Sequence, residues 1–123
     1  MYAFILVGLG GAIGSMARFG VSKLIPIGSF PVATLTVNVV GSLLMGILIG
    51  ALAKWASGWG DGARLFLAVG VLGGFTTFSA FSLDTIVLIE RGQWGAAFGY
   101  VFVSVLASLA AIGVGLLLMR GVA

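Results

Sequence analysis

Apolar residues fill four long runs of this chain, separated by short polar clusters. Each run has about the twenty residues that a helix needs to cross a bilayer. The spans expected are Tyr2–Leu24, Val32–Lys54, Arg64–Glu90 and Trp94–Arg120. Residues 25–31 hold both prolines, and Pro31 suits the first turn of the second helix. Residues 56–62 form a glycine-rich polar loop, and residues 90–93 a tight hydrophilic turn. Trp55, Trp59 and Trp94 fall at span ends, where indoles favour the membrane interface. The first run is too long, and its start too poor in cations, for a cleaved signal peptide. The pattern leaves no soluble domain. The expected fold is one all-α membrane unit of four transmembrane helices over residues 1–123, in a cell inner (plasma) membrane.

The third run departs from lipid-filling composition. Gly73-Gly74-Phe75-Thr76-Thr77-Phe78-Ser79-Ala80-Phe81-Ser82 places two helix-weakening glycines ahead of a cluster of hydroxyls and phenylalanines. Polar groups and irregular backbone survive at membrane depth only when buried in protein or lining a cavity. Two readings stand: a third helix broken near its middle and facing a polar path, or a glycine packing seam with hydroxyls bonded back to their own helix. Gly10/Gly14, Gly46/Gly50, Gly70/Gly74 and Gly95/Gly99 are further close-packing pairs, without functional specificity.

Composition narrows the chemistry. The chain is 61% hydrophobic and 7% charged, with no cysteine and no histidine. Thiolate chemistry and the usual zinc sites are excluded. The net charge of +3 is scattered, so no nucleic-acid partner is expected. No nucleophile has an adjacent base, so the chain is not read as an enzyme. Cations divide almost evenly between the two sides: Lys54, Arg64 and Arg120 against Lys23, Arg91 and Arg18. The positive-inside rule then gives almost no orientation. That balance is either noise in a short chain or the mark of dual topology, with the protein as an antiparallel homodimer.

Arg18, Asn38 and Asp84 each lie six residues inside a span end on one side, roughly 9 Å deep. Such depth is costly for polar groups unless they meet partners or water. One polar layer is expected, with Arg18 paired to Asp84 or snorkelling to the interface, and Asn38 open to a permeant species. Tyr100, Ser104 and Ser108 share one face of the fourth helix, and Phe78 and Phe81 one face of the third. The aromatic pair suits packing; flanking Thr77, Ser79 and Ser82 favour a path. Amides, hydroxyls and positive ring edges attract a small anion weakly, as conduction requires. A break in the third helix would also free carbonyls for a small cation, with Gly73 and Thr76 the natural donors.

Three ordered motifs carry a resemblance over nearly the whole chain. They are Gly10-Gly11-Ala12-Ile13-Gly14-Ser15-Met16-Ala17-Arg18-Phe19, Thr36-Val37-Asn38-Val39-Val40-Gly41-Ser42, and Gly73 through Asp84. The chain resembles the Fluc (CrcB-type) fluoride ion channels. The resemblance implies a dual-topology antiparallel homodimer in the lipid bilayer, with two pores that export fluoride. It implies that Phe78 and Phe81 line the path and that Asn38 contacts the ion. It further implies that Tyr100, Ser104 and Ser108 form a polar track, and that Arg18 stands in the vestibule. Gly73 and Thr76 would ligate one central Na⁺ through backbone carbonyls, structural rather than transported. Ala80 stands where the family usually has Thr or Ser, which removes one hydroxyl from the track. Two other classes fit the sequence less well. A small multidrug-resistance type exporter shares the length and span number but needs an acid in the first span, and none is there. A structural or regulatory subunit explains the glycines but not the Asn38 and Thr-Thr-Phe-Ser pattern.

Overall fold

The computed structural model of the chain describes residues 1–55 and 61–121. Among the described residues, four helical spans are long and apolar enough to cross a membrane: α1 (Tyr2–Leu24), α2 (Val32–Trp55), α3 (Asp61–Glu90) and α4 (Trp94–Arg120). Expected and observed ends agree, except that α2 runs one residue further and α3 begins at Asp61 rather than Arg64. Most of the loop expected at 56–62, with Trp59, lies outside the described residues. Asp61 occupies the first turn of α3, where a carboxylate complements the helix dipole. The turn at residues 90–93 closes α3 with Gly92 at φ 77°. Gln93 N–H reaches Leu88 O and Gly92 N–H reaches Ile89 O, both at 2.9 Å, a glycine C-cap.

The third span is not one helix. Arg64–Leu72 is wound as a π-helix, Gly73–Phe75 returns to α geometry, and a regular helix runs over Phe78–Glu90. Between them Thr76 (φ −86°, ψ 158°) and Thr77 (φ −152°, ψ 118°) are extended. The chain is therefore broken near the middle of the span, at the threonines rather than at the double glycine.

The glycines have another task. A Cβ on Gly74 would stand 2.6 Å from Gly11 O, one on Gly10 would stand 2.9 Å from Gly70 Cα, and one on Gly14 would collide with Val71 O. These residues let α1 and the first half of α3 approach backbone to backbone. Gly46 makes the same kind of seam with Gly115, and Gly50 with Met119, between α2 and α4. The seam of one reading and the break of the other are both present, at different residues: the seam runs through Gly74 and the break comes two residues later. Gly95 and Gly99 differ from the other pairs, because a Cβ on either would meet only open space.

The break also changes the span's partner. Before it, α3 lies along α1; after it, α3 packs chiefly on α4, while α2 and α4 run together. Leu88, Ala97 and Tyr100 form a small buried cluster on that second contact, with Phe30, Leu35 and Phe81 against it. Most remaining large apolar side chains are exposed on the outside of the bundle, as lipid contact requires.

Candidate functional site

Two side chains from neighbouring helices hold the break. Asn38, on α2, brackets Thr77: its Nδ2 donates to Thr77 O at 3.0 Å, and its Oδ1 accepts from Thr77 N–H at 2.8 Å. These two bonds fix the amide's orientation, because a backbone N–H can meet only the oxygen. Arg18, on α1, donates from Nε to Gly74 O at 3.1 Å. Thr77 then caps the second half of α3 by accepting from Ala80 N–H at 3.1 Å. Four of the groups that the broken helix exposes, Gly74 O, Thr77 N–H, Thr77 O and Ala80 N–H, are thus taken up by protein rather than left to lipid.

Asn38 and Arg18 meet the chain within three residues of each other, at Thr77 and Gly74. Asp84 does not join them. Its Oδ2 accepts from Tyr100 OH at 3.1 Å. The single polar layer expected from depth is two layers, and the Arg18–Asp84 pair does not form. The reason is local: the break supplies a free carbonyl to Arg18, while Asp84 sits seven residues further along, roughly two helical turns.

Beside the break lies a cleft of about 380 Å³ between α2, α3 and α4. Asn38, Thr77, Phe78, Phe81, Ser104 and Ser108 all line it. Ser104 is 6% exposed, and its hydroxyl has no hydrogen-bond partner. A buried unpaired hydroxyl is rare and costs free energy unless something meets it. Phe78 and Phe81 are tilted with centroids 5.4 Å apart, and Phe81 is 5.1 Å from the Tyr100 ring. Phe78 is 78% exposed, so the rest of the chain leaves most of this residue uncovered.

Three residues expected along the same path stand otherwise. Tyr100 is fully buried, with its hydroxyl committed to Asp84 and its ring between Phe81 and Phe30. Ser82 Oγ donates back to Phe78 O at 2.9 Å. Ser79 Oγ is 3.3 Å from Thr77 Oγ1 on the exposed side. Sequence reasoning missed Phe30, which meets the Tyr100 ring edge-on at 5.4 Å and 85°. It sits in the proline loop, where no periodicity marks a contact. A second cavity of about 550 Å³ opens beyond these rings, lined by Lys23, Asp84 and Arg91 among others.

The Gly73 and Thr76 carbonyls are the donors that the sequence led us to expect for a cation, and the break changes the surroundings of both. In a continuous helix Thr77 N–H would bond Gly73 O, and Ala80 N–H would bond Thr76 O. Here those amides go to Asn38 Oδ1 and Thr77 Oγ1 instead. The Thr76 hydroxyl turns back and donates to Leu72 O at 3.0 Å. Among the described residues, no cluster of three or more acidic side chains suits a divalent ion.

The profile of one family, described as CrcB-like protein, Camphor Resistance (CrcB), matches residues 5–116. The chain belongs to the CrcB family. Its similarity to individual CrcB members extends from end to end. The fluoride-specific ion channel FluC of Novosphingobium aromaticivorans is 51% identical, with the whole of both chains aligned. Proteins of the same name from Paracoccus denitrificans and Caulobacter vibrioides are 50% and 47% identical. In those two, the aligned part covers 98% and 99% of this chain, and 96% and 98% of theirs. With four spans and this membership, the chain is a multi-pass membrane protein of a bacterial plasma membrane.

Proposed function

We propose that this CrcB protein conducts fluoride passively across the membrane and so lowers its cytoplasmic concentration. The observation that carries the reading is the Ser104 hydroxyl, buried, unpaired and lining one cleft with Asn38, Ser108, Phe78 and Phe81. The cleft offers partial positive charge from hydroxyl hydrogens and ring edges, and no carboxylate lines it. No Lys or Arg lines it either, so an anion entering is attracted without being trapped. The relatives' name as fluoride-specific channels supports the choice of ion. Fluoride efflux from liposomes carrying the purified protein tests it. Rapid electrogenic fluoride loss, indifferent to a proton gradient and far exceeding chloride loss, is the expected result. Proton-coupled exchange, or no fluoride flux, overturns the reading.

The working unit in this reading is an antiparallel homodimer with two pores. The exposed Phe78 ring and the open faces of Gly95 and Gly99 suit a second copy, and the even charge count suits insertion both ways. A C-terminal tag should be accessible on both sides of the membrane in comparable amounts. A single orientation above about nine tenths contradicts it.

A central Na⁺ fits the break. Gly73 and Thr76 carbonyls, supplied by both subunits, would make a neutral, four-oxygen cage. Na⁺ suits such a cage better than Ca²⁺, which takes about six to eight oxygens and favours carboxylates. When bound, the ion supplies positive charge that ties the two breaks together. Transfer into Na⁺-free choline buffer should lower the dimer's thermal stability and slow fluoride flux, with no uptake of radiolabelled sodium. Unchanged stability and flux argue against the site, and sodium uptake coupled to fluoride argues against a structural role.

A further inference from the structure

The break has a second pole. A regular helix of thirteen residues starts at Phe78, and the first amides of any helix lack intrahelical acceptors. Their fates here can be followed one by one. Ala80 N–H donates to Thr77 Oγ1. Thr77 N–H, just before the helix, donates to Asn38. Phe78 N–H would meet Gly74 O in a continuous helix, but extended Thr76 and Thr77 stand between them, and Arg18 donates to that carbonyl instead. Phe75 O would serve Ser79 N–H, but the two extended threonines separate them. Among the described residues, neither Phe78 N–H nor Ser79 N–H donates to a side chain or to a backbone carbonyl outside the helices, and the extended threonines carry both away from the carbonyls four residues back. Such amides at the positive end of a helix favour an anion. Phe78 itself borders the cleft, and the buried, unpaired Ser104 hydroxyl lines the same space.

We propose that the Phe78 and Ser79 backbone amides, at the positive end of the second half of α3, bind the permeating anion together with the Ser104 hydroxyl. The proposal rests on the conduction reading above and adds its donors. It gives the two ends of one break opposite duties, carbonyls toward a cation and amides toward an anion, as discontinuous membrane helices commonly do. It also gives Asn38 and Arg18 a positioning role. By occupying Thr77 and Gly74 O they keep the two halves from rejoining, and so keep the amides free. A small anion of high charge density gains most from such donors, so the amides favour fluoride over chloride.

Two experiments on the full-length protein in membranes test this. In the first, Ser79 is replaced by its α-hydroxy acid counterpart, which turns the amide into an ester and removes one N–H while keeping the side chain. Position 79 is cleaner than position 78, because an ester at 78 would weaken Thr77 O, which accepts from Asn38. The carbonyl weakened at 79 is Phe78 O, which accepts from Ser82, so Ser82→Ala is the control. Fluoride flux should fall about tenfold in the ester protein, the size expected for one bond to a charged partner, and much less in the control. In the second, the unmodified protein labelled with ¹⁵N is titrated with sodium fluoride at constant ionic strength. The Phe78 and Ser79 amide protons should shift downfield, and sodium chloride at the same concentrations should leave them still. An ester protein that conducts like the unmodified one, or amide signals indifferent to fluoride while flux is intact, overturns the proposal. Absence of fluoride flux in the unmodified protein would instead overturn the conduction reading itself.

Discussion

Asn38→Asp should reduce fluoride flux about a hundredfold or more at neutral pH. Asn38 meets Thr77 with one donor and one acceptor, at 3.0 and 2.8 Å. A carboxylate keeps the acceptor and loses the donor, so Thr77 O is left opposite a negative oxygen. The same charge lines the cleft and repels an anion. A charge at membrane depth costs about 2.5–3.5 kcal/mol on insertion scales, enough for the stated loss. A protonated Asp regains a donor and reproduces the bracket on Thr77, so flux should be greater in acid than at neutral pH. Protein-free liposomes correct for HF, which crosses lipid unaided. Asn38→Ala is the contrasting variant. It leaves a backbone N–H without its partner, at a cost of about 1–3 kcal/mol, and should weaken the assembled protein at every pH. Asn38→Asp flux near the unmodified level at neutral pH would remove Asn38 from the path.

The spans were legible because lipid imposes one strong rule, and twenty apolar residues between polar clusters obey it. The break was legible in its span as one of two readings, since glycines and hydroxyls crowd a membrane helix either for close packing or where the backbone is irregular. Its residue was not. Gly73 and Gly74 invite the reading of a helix breaker, yet Gly74 is held in helical conformation by the seam with α1, where only a missing Cβ allows the approach. The extended pair is Thr76-Thr77, fixed by contacts from α1 and α2 that no local pattern encodes. Depth counting likewise put Arg18, Asn38 and Asp84 in one layer. It could not see that Arg18 and Asn38 would find backbone partners created by the break, while Asp84 would find Tyr100 on α4. The π-helical winding of Arg64–Leu72 left no signal in a sequence of ordinary apolar residues. Side-chain identity gave the chemistry of the cleft; tertiary contact decided which hydroxyls were left free in it.

Phe81→Ile should lower fluoride flux by up to about tenfold while the protein still assembles. Phe81 lines the cleft and is flanked by Phe78 at 5.4 Å and Tyr100 at 5.1 Å. Isoleucine keeps the residue apolar and branched, so the hydrophobic part of its packing largely survives. What goes is the aromatic quadrupole, with its positive ring edge, an interaction of about 0.5–1.5 kcal/mol per contact. The upper end of that range is about a factor of ten, and an anion passing between two rings loses one side of its surroundings. The confounding loss is the contact between Phe81 and Tyr100, which steadies the buried cluster around Leu88 and Ala97. Phe30→Ile separates the two effects. Phe30 also packs on Tyr100, edge-on at 5.4 Å, but it does not line the cleft. If ring edges act on the ion, Phe30→Ile should conduct within about threefold of the unmodified protein, well inside one such contact. If both variants lose flux equally, with equal loss of thermal stability, the Phe81 ring serves to hold Tyr100 in place and does not act on the anion.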